Sequence, residues 1–196
     1  MQDDHGTCTM TTLGAAVDGV LYGPAYECEY LLAKTEMVDQ EIRAEEDNFI
    51  AALEWGESMG ADVASASLGY LDWYGFSDLD GDTAPITLAV ETATRLGMVV
   101  VTSVGNENGS PWNHITAPSD ADSIISVGAV DREGAVAIFS SRGPTYDGRI
   151  KPEVVALGVA TLCAGRPDTD TYWYSNGTSL STPLVGGVVA LILEAH

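Results

Sequence analysis

Apolar positions along this chain alternate between two spacings. Over Glu45–Met59, the residues Phe49, Leu53, Gly56 and Met59 fall near one face at helical spacing, and Gly60 supplies a C-terminal stop. Ala61–Leu68 follows as a short strand. Pro85 suits the first turn of a second helix, whose Ile86, Ala89, Val90, Ala93 and Leu96 share one side before Gly97 ends it. Met98–Thr102 is a continuous run rich in β-branched residues, the pattern of a strand covered on both faces. Ile124–Val130 reads as another strand, and a last helix is predicted from near Ser179 through Leu184, Val188, Leu191 and Ile192. This alternation of strand and helix predicts an α/β fold, a mostly parallel sheet sandwiched by helices. In such sheets functional residues collect beyond the carboxyl ends of the strands. Two segments lie there: Ser65-Ala66-Ser67-Leu68-Gly69 and Val104-Gly105-Asn106-Glu107-Asn108-Gly109.

At 196 residues, 45% of them apolar, the chain suffices for one domain with a core, residues 1–196, and shows no internal repeat. No apolar run is long enough to span a bilayer. The first residues, Met1-Gln2-Asp3-Asp4-His5, have neither the basic nor the apolar region of a signal peptide. The net charge of -21, from 29 acidic and 8 basic residues, repels nucleic acid and anionic membranes, so neither is expected as a partner. The acidic residues are dispersed, as on a solvated surface.

Two features invite a metal or redox reading. The three cysteines, Cys8, Cys28 and Cys163, have no CxxC spacing, so no metal site is assigned to them. One disulfide with one free thiol fits the count, and three reduced, buried thiols is the default expectation. In Asp78-Leu79-Asp80-Gly81-Asp82-Thr83 the carboxylates alternate as calcium ligands do, but the closing glutamate of a calcium loop is missing. An acidic turn capping the helix at Pro85 is the favoured reading.

Acyl transfer by a serine needs a nucleophile, a base, a group that orients the base, and donors for the oxyanion. Ser179, in Asn176-Gly177-Thr178-Ser179-Leu180-Ser181-Thr182-Pro183, stands where a glycine turn enters an apolar helix, so free N–H groups and the helix dipole favour negative charge there. An ordinary N-cap serine would look the same. His5 begins what reads as a helix, and an exposed histidine near a terminus is the alternative. Asn106 follows a buried strand, a rigid mount for an amide donor, although asparagine beside glycine often serves only a turn.

Taken in order, His5-Gly6-Thr7, Ser67-Leu68-Gly69, Val99-Val100-Val101 leading to Gly105-Asn106, and Gly177-Thr178-Ser179-Leu180-Ser181-Thr182-Pro183 resemble the landmarks of the subtilisin-like serine protease family, peptidase family S8. Ala117-Pro118, Val127-Gly128-Ala129-Val130, Phe139-Ser140-Ser141-Arg142-Gly143-Pro144 and Lys151-Pro152-Glu153 extend the resemblance over essentially the whole chain. It implies a three-layer fold, incomplete here, and a serine endopeptidase with His5 as base, Ser179 as nucleophile and Asn106 as oxyanion donor. It also implies an extended polypeptide substrate, lying between Ser67, Leu68 and Gly69 on one side and Ser103, Val104 and Gly105 on the other. No cofactor is required for the chemistry. Structural calcium is compatible with the family but has no assigned ligands. An extracellular or cell-surface location is expected of the full-length protein.

The family takes its aspartate from a strand well before the histidine, and only four residues precede His5. Asp3 and Asp4 are unsuited, because neighbours at a helix start do not face one another. A fragment lacking an N-terminal segment or propeptide, itself nearly inactive, is therefore expected. The rival readings are a non-catalytic subtilisin-like binding domain and an acidic calcium-binding module. Cys8, close after His5, suggests that mercurials would block the cleft. Trp73, Tyr74 and Phe76 are candidates either for a cleft edge or for the core.

Overall fold

The computed structural model describes residues 2–37, 40–165 and 171–196. Helix α1 (Gln2–Gly14) is followed by a small antiparallel pair, β1 (Ala16–Val17) and β2 (Leu21–Tyr22). Then come α2 (Ala44–Ser58), β3 (Val63–Ala66), α3 (Pro85–Arg95), β4 (Val99–Ser103), β5 (Ile125–Val130) and β6 (Val154–Leu157). An antiparallel hairpin, β7 (Thr161–Gly165) and β8 (Thr171–Ser175), leads into α4 (Thr178–Glu194). Strands β3-β4-β5-β6 form one parallel sheet in chain order, with Val63 opposite Val99, Val101 opposite Ile125, and Val127 opposite Val154.

The helices cover both faces of this sheet, because alternate residues of its inner strands are apolar in both directions. On one face Val100 joins Phe49 and Leu53 of α2 and Ile86, Val90 and Ala93 of α3 in a single buried cluster. On the other, Val101 and Val127 pack with Val189 of α4. Val100, Val101 and Val127 are fully buried, each contributing about 1.5–3 kcal/mol relative to exposure. Helix α1 packs outside the sheet, against α4 and β7.

The three-layer α/β expectation is met, with shifts at element ends. Met59 and Leu96 leave their predicted apolar faces. Each caps its helix just before a left-handed glycine, Gly60 at φ +81° and Gly97 at φ +110°, and is 61% and 64% exposed. Trp73, Tyr74 and Phe76 pack against the α2–α3 core. The Trp73 Nε1–H and the Tyr74 hydroxyl donate to the buried Glu46. The Asp80 carboxylate accepts the N–H groups of Asp82 and Thr83 and the Thr83 hydroxyl, each at 2.9 Å, which builds the turn ahead of Pro85.

Cysteine chemistry departs from the default expectation. Cys8 and Cys163 form a disulfide and Cys28 is an exposed free thiol, so three reduced, buried thiols is corrected. The fold brings Cα atoms 155 positions apart in sequence to 4.9 Å, within bonding range. The thiol expected beside His5 is consumed by that bond.

Candidate active site

The nucleophile candidate is positioned by a glycine turn. Gly177 has φ +152° and ψ 151°, a conformation open essentially to glycine, and its N–H is held by the Gly158 carbonyl at 2.9 Å. From there α4 begins at Thr178, which makes Ser179 its second residue. Its N–H belongs to the first turn and has no partner within the helix. Pro183, four residues on, has no N–H for the Ser179 carbonyl. The Ser67 hydroxyl donates to that carbonyl instead, at 2.8 Å. The Ser179 hydroxyl makes a long contact, 3.5 Å, to the Ser67 carbonyl, so it is not committed to a strong bond.

Asn106 stands three residues beyond β4, after the left-handed turn at Gly105, φ +99°. Its side-chain oxygen accepts both the N–H and the hydroxyl of Thr178, at 2.9 and 3.1 Å. With Oδ1 occupied, the Nδ2 amino group is the part of the amide left to donate. Ser141 steadies the same loop: its N–H donates to the Gly105 carbonyl at 3.0 Å and its hydroxyl accepts the Glu107 N–H at 2.8 Å.

His5 lies in the first turns of α1. The residue is largely exposed, yet the cleft walls displace enough water from its ring to hold the pKa below the ordinary histidine value. Its imidazole is therefore neutral at neutral pH, the form able to accept a proton. Among the described residues no hydrogen bond orients the ring.

These three side chains share one cleft of about 300 Å³, lined by Asp4, His5, Cys8, Asn106, Trp173, Ser175, Asn176, Gly177, Ser179 and Leu180. Ser67 touches the nucleophile turn from β3, as above. Leu68 accepts the Ser103 hydroxyl at 3.3 Å, which ties the two expected substrate walls together. Gly69 is exposed and Gly105 half-buried. Ser103 and Val104 are buried, Val104 within the α2–α3 core. Thr178 and Ser141 stand within the motifs quoted above and Trp173 in none of them, and it is contacts across the fold that give all three their place at the site.

The subtilase family, peptidase family S8, matches residues 1–196. Serine protease AprX of Bacillus subtilis is 31% identical over 98% of this chain and 49% of its own length. Subtilisin E of the same species is 34% identical over 98% of this chain and 46% of its own length. The chain thus spans about half the length of these relatives. Among solved structures, the self-cleaved protease domain of PatA has a TM-score of 0.78 at 26% identity, covering 97% of this chain and 67% of that one. The prenylagaramide maturation protease PagA has a TM-score of 0.79 at 24% identity, covering 97% and 64%, a likeness of fold alone.

Proposed function

Because this chain belongs to the subtilase family, we propose that it is the histidine- and serine-bearing part of a serine endopeptidase catalytic domain. The observation that carries the proposal is the convergence of His5 from α1, Asn106 from the β4 loop and Ser179 from α4 on one cleft. In this reading the Ser179 hydroxyl attacks the carbonyl of an extended polypeptide while His5 takes its proton. The oxyanion is held by the Asn106 Nδ2 and the Ser179 N–H. His5 then protonates the leaving amine, and water resolves the acyl-enzyme by the same steps. Ser67–Gly69 and Ser103–Gly105 flank the substrate backbone. The chemistry calls on no cofactor.

Among the described residues no hydrogen bond orients the His5 ring, which supports the further proposal that its aspartate comes from a segment outside this sequence. In a subtilisin, loss of that aspartate alone lowers kcat by about 3 × 10⁴-fold, so this chain by itself is expected to react slowly. The Cys8–Cys163 disulfide supports an extracellular or cell-surface setting for the full-length protein. Among the described residues no helix is long and apolar enough to cross a membrane. The charge of -21 disfavours nucleic acid as a partner.

The test is labelling with a fluorophosphonate, read by intact mass and peptide mapping. One slow adduct on Ser179 is expected, absent in Ser179→Ala and in His5→Ala. Ser181→Ala should label normally, because the Ser181 hydroxyl is buried and donates to the Thr178 carbonyl at 2.9 Å. Labelling that survives Ser179→Ala, or that disappears with Ser181→Ala alone, defeats the proposal. A chain extended by an aspartate-bearing strand should label faster. An unchanged rate would point to the non-catalytic domain instead.

A further inference from the structure

The turn that carries His5 buries little of its own side-chain surface. From Asp4 to Thr11, Cys8 is the only buried residue, and Gly6 beside His5 weakens the helix. Cys8 follows His5 by three residues, so the two side chains share a side of α1, and both line the cleft. Its partner, Cys163 of β7, stands directly opposite Trp173 of β8 in the antiparallel register. Opposed residues project from the same face of a hairpin, and Trp173 is itself a cleft wall. Cys8 and Cys163 are buried together with Leu180, the neighbour of Ser179. One turn further along α1 the Thr11 hydroxyl accepts the Ala164 N–H at 3.0 Å, so the hairpin and helix also meet beyond the bridge.

We propose that the Cys8–Cys163 bridge positions the His5 imidazole, clamping the base-bearing turn of α1 to the hairpin that walls the cleft. Leu180 completes the clamp on the nucleophile side. The bridge is a positioning element and touches no reacting atom. A dithiol reductant undoes it in a two-electron step. The S–S bond breaks, each sulfur becomes a thiol by taking up a proton, and the reductant closes to its own disulfide. The sheet and α4 keep their separate apolar core of Val101, Val127 and Val189, so release is local: the His5 turn frays while the domain stays folded. The inference goes beyond the protease reading, and its test needs no turnover.

The test is NMR titration of the three histidines in the oxidised chain, in the chain treated with a dithiol, and in Cys8→Ala/Cys163→Ala without reductant. The His5 signal is assigned by its loss in His5→Ala, which separates it from those of His114 and His196. Asp4 is ionisable in the lining of all three forms, and the Cys8 thiol joins it only in the dithiol-treated chain, which the double-alanine chain controls for. In the oxidised chain His5 should titrate below the ordinary histidine value. In the reduced and double-alanine chains its midpoint should move up toward the ordinary value of about 6.5 while the amides of Val101 and Val127 keep their exchange protection. An unmoved His5 midpoint overturns the proposal. So does loss of protection at Val101 and Val127, which would make the bridge a support of the whole fold. An unreactive Ser179 sinks the protease reading and leaves this one standing, and an unmoved His5 does the reverse.

Discussion

The Ser67 hydroxyl donates to the Ser179 carbonyl at 2.8 Å, replacing the hydrogen bond that Pro183 cannot supply within α4. A half-buried acceptor at the nucleophile turn is thus satisfied by the strand that lies beside it. Ser67→Ala should cost about 1–3 kcal/mol in urea unfolding, because the carbonyl loses its partner in a confined place. Pro183→Ala restores an N–H one helical turn along. In that background Ser67→Ala should cost less, giving a coupling of at least about 0.5 kcal/mol in a double-mutant cycle. Additive losses would mean that the two donors do not compete for one acceptor.

The Thr178 N–H and hydroxyl together fix which way the Asn106 amide points. Asn106→Asp keeps the shape and the acceptor but replaces the free amino group with a second acceptor. Removing one such donor lowers kcat by about 100- to 1,000-fold in a subtilisin, and a loss of that scale is expected in the rate of Ser179 labelling. Thr178→Val removes one of the two restraints and leaves the backbone N–H. Its effect should stay within about tenfold, the worth of one ordinary hydrogen bond. Equal losses from both variants would indicate that Asn106 acts only as a structural tie.

Local signals in the sequence mark the elements on which the candidates stand: a glycine turn entering an apolar run at Ser179, and a β-branched strand before Asn106. Each alone fits an ordinary N-cap or turn residue, and only the ordered resemblance to a family joins them. What holds those side chains in place was not legible. Thr178 and Asn106 are 72 positions apart, and Ser141 reaches Glu107 across 34. The bridge between Cys8 and Cys163 depends on where α1 and β7 meet, which no cysteine spacing encodes. Strand β6 gives no sequence signal because it is a short edge strand whose Val154 and Val155 are exposed, so it shows no inward alternation. Strands β7 and β8 lie more than two residues apart in sequence, which removes the short spacing that makes a hairpin readable. Periodicity places Met59 and Leu96 on buried faces, because it cannot tell where the helix stops being covered.

Gly69 and Gly105, one on each expected substrate wall, meet at Thr116. A Cβ added at Gly69 would lie 2.2 Å from the Thr116 Oγ1 and 3.0 Å from its Cβ, and one at Gly105 would lie 2.9 Å from its Cγ2. Thr116 is 3% exposed, and its backbone is tied to the Val104 carbonyl at 3.3 Å, so it has little room to retreat. Gly69→Ala should therefore destabilise by about 1–3 kcal/mol through overpacking. Thr116→Ala removes the atom that would be struck, so the double variant should recover most of that loss. Calorimetric or urea midpoints of the three variants decide the matter. A Gly69→Ala chain as stable as the parent would show that the wall yields.

Asp120 is fully buried beside the turn that precedes α3, accepting the Thr87 hydroxyl at 2.7 Å and the Gly81 N–H at 3.0 Å. Burial raises its pKa above the usual carboxylate range, and the two donors and Arg149 offset this only in part. A folded pKa above the unfolded one means that the protonated form is favoured by folding. Asp120 therefore contributes its full stability below the unfolded pKa and loses it as pH rises through the folded value. Its ionised form is a buried charge carried at a cost. Asp120→Asn removes the ionisation while keeping an acceptor for one of the two donors. Relative to that variant, the parent should gain stability as pH falls from neutral toward the ordinary carboxylate range. Carboxylates titrating elsewhere shift both proteins alike and cancel in the difference. Urea midpoints of the pair at several pH values measure it directly. A difference that stays constant would place Asp120 among ordinary carboxylates, and one that widens in favour of the variant would reverse the sign argued here.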